Sequence, residues 1–516
     1  MANLSKGAPQ TRRDFLKTGA GSLAGLALAK GAKGTAPAAA PPGSRPNILL
    51  IFPDAWRGQD LGCAGNPDVR TPHIDRIAAE GMMFPHTFAN SPLCAPARAN
   101  IYSGMYASRN GMVCNDLRLR ESVTTLHALF DQAGYRTGLI GKWHLDGGPH
   151  APGFTPPGPR RHGIKFWEAT ECDHNYFYNW YFRDTGVAHL IQRYTPEAWT
   201  DLAIEFLNQN QKTPFFLTVC MAAPHRPFVM PPHYLEMYNP AELKLRPNWV
   251  QGVHGGERKD LAAQYAAMTA IDDQIGRLMK TLDQLGLKEN TIVFFFSDHG
   301  EMLGSHGEIW KRLPWEESIR VPGILRWPRK LKGGQTSKAI FTHLDFAPTL
   351  LSLSGIGVPK GMQGTDMSRI VLGSGQSGPP SAFFQIFGPG GDNGLQHGWR
   401  AVRTHQYLYA RTESNPWLLY DLGKDPYEMD NLANTARGAA VQRELDDLLG
   451  KWMHKVGDSW SLNFSVPVEK GQLSTYRTFY SLDEYYRWAG SHRDLEPRGP
   501  FSRSGKASLN GAKSVS

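Results

Sequence analysis

The chain has 516 residues, of which 41% are hydrophobic and 20% charged, with 56 Lys and Arg against 47 Asp and Glu. That length suits one large core plus a smaller unit, because single cores stop growing beyond roughly 250 to 300 residues. The net charge of +9 does not mark a nucleic-acid binder: residues 1–46 hold seven Lys and Arg against Asp14 alone, so most of the excess sits in one terminal segment.

That segment comes first in the chain. Thr11-Arg12-Arg13-Asp14-Phe15-Leu16-Lys17 precedes a Gly/Ala/Leu stretch, Thr18 to Ala29, and resembles a twin-arginine export signal. The stretch is shorter and less apolar than the roughly 20 residues that span a bilayer. Thr35 to Pro42 reads as a cleavage region or linker, so residues 1–46 are a signal and linker, and the protein is expected in the bacterial periplasm or secreted. The twin-arginine export machinery is then a partner.

Four apolar runs follow, each ending in polar residues: Asn47 to Phe52 before Asp54, Thr137 to Ile140 before Lys142 and His144, Phe215 to Met221 before His225, and Thr291 to Phe296 before Asp298 and His299. They read as buried parallel strands. Between the last two, Ile271, Ile275, Leu278, Leu282 and Leu285 mark one helix face, and Gly286 is the expected stop. In open parallel sheets ligands gather at the carboxyl ends of strands, where these polar residues lie. Residues 47–380 are expected to form this α/β domain. Near Ser381 the pattern changes to short segments, Trp399 to Arg403, Tyr407 to Arg411 and Trp417 to Tyr420, followed by a helix from Val441 to Val456. Residues 381–498 thus read as a small α+β domain with an antiparallel sheet, and the Ser/Gly/Lys-rich residues 499–516 as a disordered tail.

Five cysteines, Cys63, Cys94, Cys114, Cys172 and Cys220, leave at least one unpaired in an exported protein. Cys94 stands out by its context, Cys94-Ala95-Pro96-Ala97-Arg98 before Ile101-Tyr102-Ser103-Gly104; the others fit buried thiols or one or two disulfides. The pentad resembles the sulfatase signature C-x-P-x-R, whose cysteine is oxidised to Cα-formylglycine. Further stretches match the same family in order: Asp54, Leu61-Gly62-Cys63, Thr71-Pro72-His73-Ile74-Asp75-Arg76, Gly141-Lys142-Trp143-His144, Ala223-Pro224-His225, Ser297-Asp298-His299-Gly300-Glu301 and Leu419-Tyr420-Asp421-Leu422.

The resemblance implies an alkaline-phosphatase-like fold and a sulfate monoester substrate, on a carbohydrate or an aryl group. Asp54, Asp298, His299 and the converted Cys94 would hold a divalent metal, usually Ca²⁺ in this family, with Mg²⁺ or Mn²⁺ as alternatives because His299 offers nitrogen. Arg98 would steady residue 94. Lys142 and Lys311 would neutralise the sulfuryl group, His225 or Lys311 would protonate the leaving group, and His144 would take the proton that releases sulfate. A formylglycine-generating or anaerobic sulfatase-maturing enzyme is implied as a partner during biogenesis.

Cys94 is expected just ahead of a helix starting near Pro96, whose free N–H groups would attract an anion. One position departs from the family: Ala55 stands where a second acidic or amide residue is usual, so one side-chain ligand is missing. Arg57 and His306 lie near the motifs without an assigned role. The run Tyr176, Phe177, Tyr178, Trp180, Tyr181 and Phe182, with Asp173 and His174 ahead of it, reads as core packing or as the lining of a sugar or aryl cleft. Two rival readings are a phosphonate monoester or phosphodiester hydrolase on the same fold and, because of Ala55, a non-catalytic protein that binds a sulfated ligand.

Overall fold

The strand Asn47–Pro53 is buried at every position, as a strand covered on both faces requires. Its side chains alternate between two cores. Leu49 and Ile51 pack with Leu217, Val219, Val293 and Phe295 on one face, and Ile48, Leu50 and Phe52 pack with Phe216, Phe294 and Phe296 on the other. The computed structural model describes residues 45–115, 117–147, 152–251, 256–373, 375, 377–387 and 398–460, together with the backbone of the short strand Lys513–Val515. The twin-arginine segment lies outside the described residues. So does most of the terminal tail, although Lys513–Val515 pairs parallel with Ala188–Ile191.

Asn47–Pro53 is central in an eleven-stranded sheet, flanked in parallel by Phe215–Met221 and Thr291–Phe296. Arg136–Lys142 continues the parallel set beyond Phe215–Met221 and is itself followed by Phe166–Thr170. Gly323–Arg326 and the pair Asn179–Phe182 and Ala188–Ile191 add antiparallel strands toward the two edges. All four strands expected from the sequence are thus neighbours, and their carboxyl ends open at one edge of the sheet.

Helices cover both faces. Thr195–Gln209 and Arg258–Gln284 lie on the first, and Cys94–Ser103 and His343–Leu353 on the second. Arg258–Gln284 is longer than the periodicity from Ile271 suggested, because its first half buries small residues such as Ala262, Ala266 and Ala270 that carry little helical signal. It stops at Gly286, which is left-handed at φ +66°, as expected.

The second sheet is antiparallel in chain order, Ser381–Ile386, Trp399–Thr404, Tyr407–Arg411 and Pro416–Asp421, with the helix Ala439–Val456 behind it. Its inner face shares one core with the first part of the chain, where Phe88, Leu93, Ile319 and Ile340 meet Ala382, Phe384, Trp399 and Tyr420. Among the described residues no helix is long and apolar enough to cross a membrane.

Candidate active site and metal centre

Helix Cys94–Ser103 begins at Cys94 itself, two residues earlier than expected. One turn of helix separates Cys94 from Arg98, so both side chains leave the same face and reach the strand ends together. Cys94 Sγ lies 3.2 Å from His299 Nε2 and 3.8 Å from Asp54 Oδ1. The fan of free N–H groups expected at this helix start is largely spent within the protein. Pro96 has none, Ala95 donates to Asn115 Oδ1 at 3.0 Å, and Ala97 donates to the Leu93 carbonyl at 2.8 Å. An anion here therefore depends mainly on side-chain cations.

Those cations converge on the two carboxylates. Lys142 Nζ donates to Asp54 Oδ2 at 2.6 Å. Arg98 donates from Nε and Nη2 to Asp298 Oδ2 at 3.1 and 2.9 Å, and from Nη1 to the Lys142 carbonyl at 2.8 Å. These charged side chains have essentially no solvent exposure, so each charge depends on its partner. Burial works against the charge on Asp54, but Lys142, His225 and His299 outweigh it and hold its pKa well below the usual range. Burial likewise opposes protonation of His299, yet Asp298, Cys94 and Asp54 raise its pKa to about 10. The proton on His299 occupies the role of a cation between acidic groups.

Asp54, Cys94, Asp298 and His299 place one ligand atom each within 4.8 Å of one another, all of them buried. The donor set fits a divalent metal. Lys142 and Arg98 hold the Oδ2 atoms of the two carboxylates, leaving Asp54 Oδ1 and Asp298 Oδ1 on the side of His299 Nε2, 3.2 and 3.8 Å away. Ala55 adds no side chain; its N–H donates to Asp298 Oδ1 at 3.2 Å, and its carbonyl accepts from Gln264 Nε2 at 3.1 Å. The protein thus offers two oxygens, one nitrogen and residue 94.

On the far side of Cys94, Lys311 Nζ meets His225 Nε2 at 2.5 Å, and His225 Nδ1 meets the Arg226 carbonyl at 2.6 Å. An ammonium only donates and a carbonyl only accepts, so His225 is neutral, with its proton on Nδ1. Burial, together with the Lys311 and Lys142 charges, depresses its pKa well below the ordinary value. Lys311 sits between Trp310 at φ +71° and Arg312 at φ +75°, both in the left-handed region. Strain of this kind persists only where the surroundings impose it. His144 follows Lys142 on the same strand end, buried and at φ +58°.

The ring of His174 stacks on His225 at 4.1 Å and 11°, and its Nε2 is 3.4 Å from Lys142 Nζ. Tyr176 holds the loop beneath, its hydroxyl donating to the His225 carbonyl at 2.6 Å. Trp180, Tyr181 and Phe182 are buried, whereas Phe177 and Tyr178 are exposed. The aromatic run is therefore mostly packing, with His174 and two exposed rings at its edge. Arg57 is buried in an ion pair with Asp60. His306 stands in a different group, with Glu317 and Glu428. Among the described residues no disulfide forms, and Cys94, Cys172 and Cys220 are buried.

Comparison with known proteins shows the family. The sulfatase family profile matches residues 46–356, well over half of the chain. The chain belongs to the sulfatase family. A second profile, the C-terminal region of N-sulphoglucosamine sulphohydrolase, matches residues 304–455 of this sulfatase. An ulvan-active sulfatase of Formosa agariphila is 39% identical over 427 residues, covering 81% of this chain and 83% of its own. Among solved structures, the protein YidJ of Bacteroides fragilis, named as a sulfatase, superposes with a TM-score of 0.75 at 30% identity, covering 81% of this chain and 97% of that one. A structure solved in complex with its substrate, D-glucosamine-2-N,6-O-disulfate, gives 0.73 at 26% identity, covering 83% and 100%. The sulfatase is accordingly a sulfuric ester hydrolase.

The sequence carries no signal for Asn115, for Gln264 or for the stacking of His174 on His225. Asn115 and Gln264 are single amides in stretches without a motif, and only the fold carries them to Cys94 and Ala55.

Proposed function

We propose that this sulfatase hydrolyses a sulfate monoester of a carbohydrate, using residue 94 as formylglycine and a divalent cation, with Ca²⁺ as the leading candidate. The observation that carries the reading is the convergence of Cys94, Arg98 and Lys142 on one buried carboxylate pair, Asp54 and Asp298. The carbohydrate class is supported by the relatives: one is named for ulvan, and one neighbour was solved with a sulfated glucosamine. Asp54, Asp298, His299 and residue 94 would hold the metal, which when bound polarises sulfate oxygen and the hydrated aldehyde. The aldehyde hydrate supplies a nucleophilic oxygen and a second hydroxyl through which sulfate is expelled.

The remaining work falls to side chains of this chain. Lys142 and Lys311, both buried, offset the negative charge of the sulfuryl group. Arg98 fixes Asp298 and, through the Lys142 carbonyl, the end of the neighbouring strand. Lys311 carries the proton that the leaving oxygen needs, and neutral His225 holds and orients it. His144 takes up the proton that the second hydroxyl loses. The twin-arginine-like segment supports export to the periplasm or beyond after maturation by a formylglycine-forming enzyme.

The test is mass spectrometry of the tryptic peptide Ile77 to Arg98 from the native host, alongside rates on sulfate and phosphonate esters of one phenol. Conversion of Cys94 with preference for the sulfate ester supports the reading. An unmodified thiol throughout, or preference for the phosphonate, rejects it.

A further inference from the structure

Away from the catalytic cluster, a second buried group of donors lies where the turn after the Pro416–Asp421 strand meets the loop that leads to Lys311. His306, Glu317 and Glu428 place one ligand atom each within 4.8 Å of one another. Glu317 is 0% and Glu428 1% exposed. The group is richer in acceptors than in donors. Glu317 Oε1 receives Arg246 at 2.8 Å and Asn248 Nδ2 at 2.9 Å. The same Nδ2 also faces His306 Nε2 and the Tyr427 carbonyl, each at 3.0 Å, so two hydrogens serve three acceptors. Glu428 Oε2 receives the Glu316 N–H at 3.0 Å. Three buried oxygens then have no donor: Glu317 Oε2, Glu428 Oε1 and Asn248 Oδ1.

Buried acceptors without donors are rare in proteins and costly unless something positive lies between them. Arg246 answers the charge of Glu317, but Glu428 forms no ion pair among the described residues. The backbone is committed to this arrangement, since His306 and Glu428 both hold left-handed conformations, at φ +55° and +58°. We propose that His306, Glu317 and Glu428, with the amide oxygen of Asn248, form a second divalent cation site that takes a first-row metal such as Mn²⁺ or Zn²⁺. One imidazole and two carboxylates are the donor mixture these ions accept.

The location gives the ion a structural task. Glu301 N–H donates to the Glu317 carbonyl and Gly300 N–H to that of Ser318, both at 2.9 Å, so the Glu317 segment is bonded to the turn that carries Asp298 and His299. A cation shared by Glu317 and Glu428 ties the C-terminal sheet to that turn.

The experiment counts ions in the full chain. Wild-type protein, Asp54→Asn, and Asp54→Asn combined with Glu428→Gln are stripped, dialysed against Mn²⁺ and analysed by emission spectrometry, with folding checked by circular dichroism. The expected counts are two, one and none, and the anomalous map of Asp54→Asn crystals places its ion beside Glu428. No ion in Asp54→Asn, or an anomalous peak elsewhere, overturns the proposal; a single ion in the wild type that persists in Asp54→Asn supports it and speaks only against the catalytic metal. The map decides the matter by itself if the double variant fails to fold.

Discussion

Lys311 Nζ donates to His225 Nε2 at 2.5 Å, and His225 donates its own Nδ1–H to the Arg226 carbonyl at 2.6 Å. This pairing distinguishes two residues that the sequence left interchangeable as the acid. In the proposed mechanism the proton for the substrate is therefore the one on the Lys311 ammonium, with the imidazole as its holder. Lys311→Ala is expected to slow esters with alkyl leaving groups by about 10² to 10⁴, the usual range for a lost general acid. Esters of acidic phenols should slow far less, because their oxygen departs without a proton. A series of leaving groups of graded pKa measures this directly, and equal losses across the series would exclude the role.

Asp298 carries the buried guanidinium of Arg98, whose side chain is 0% exposed. Asp298→Ala leaves that charge with Asp54 at 3.5 Å and a single carbonyl. Removing one partner of a buried pair costs about 3 to 5 kcal/mol. Urea denaturation of Asp298→Ala should show a loss of that order, and Cys94→Ala, which leaves the Arg98–Asp298 and Lys142–Asp54 pairs in place, a much smaller one. Similar losses in both variants would mean that the Arg98 pair does not bear on stability.

Gly141 sits one residue before Lys142 at φ +96°, and a Cβ built on it would stand 1.9 Å from the Cys220 carbonyl oxygen. No alternative rotamer relieves a clash of Cβ with backbone, and the positive φ adds strain. Gly141→Ala should therefore push apart the strands Arg136–Lys142 and Phe215–Met221 that carry Lys142 and His225. The expected result is loss of most activity with a lowered melting temperature. A variant with wild-type kcat would show that the strand spacing is not critical.

His127 is buried, its Nε2 bonded to Thr218 Oγ1 at 3.1 Å and its Nδ1 without a partner. Burial, with a smaller push from His162, lowers its pKa to about 3. The unfolded chain binds a proton on this imidazole below its ordinary pKa of about 6.5, where the folded one does not. Stability from this residue is thus complete above pH 6.5 and falls as pH drops toward 3, by at most about 1.4 kcal/mol per pH unit. His127→Phe should remove this share of the acid sensitivity. Urea midpoints at pH 7 and pH 5 measure it, and an unchanged pH dependence in the variant would contradict the assignment.

Much of the fold was legible in the chain. Asn47 to Phe52, Phe215 to Met221 and Thr291 to Phe296 are apolar at every position because both faces of the sheet are covered, and that signal needs no partner to be read. The polar residues after each run marked the strand ends that meet at the site. Less legible was the helix from Arg258, whose alanines bury without a periodic signature, and the first turn at Cys94, where internal acceptors take the N–H groups expected for an anion.

By itself the sequence determined the two kinds of sheet, written in periodicity, and through its motifs named Cys94, two acidic residues and the cations around them as candidates for one site. Only the tertiary structure decided how those groups share protons and charge. The distance from Lys311 to His225, the division of carboxylate oxygens between Arg98, Lys142 and the metal side, and the meeting of Glu317 with Glu428 join residues far apart in the chain. Contacts of that kind depend on how the strands pack, and no local pattern encodes them.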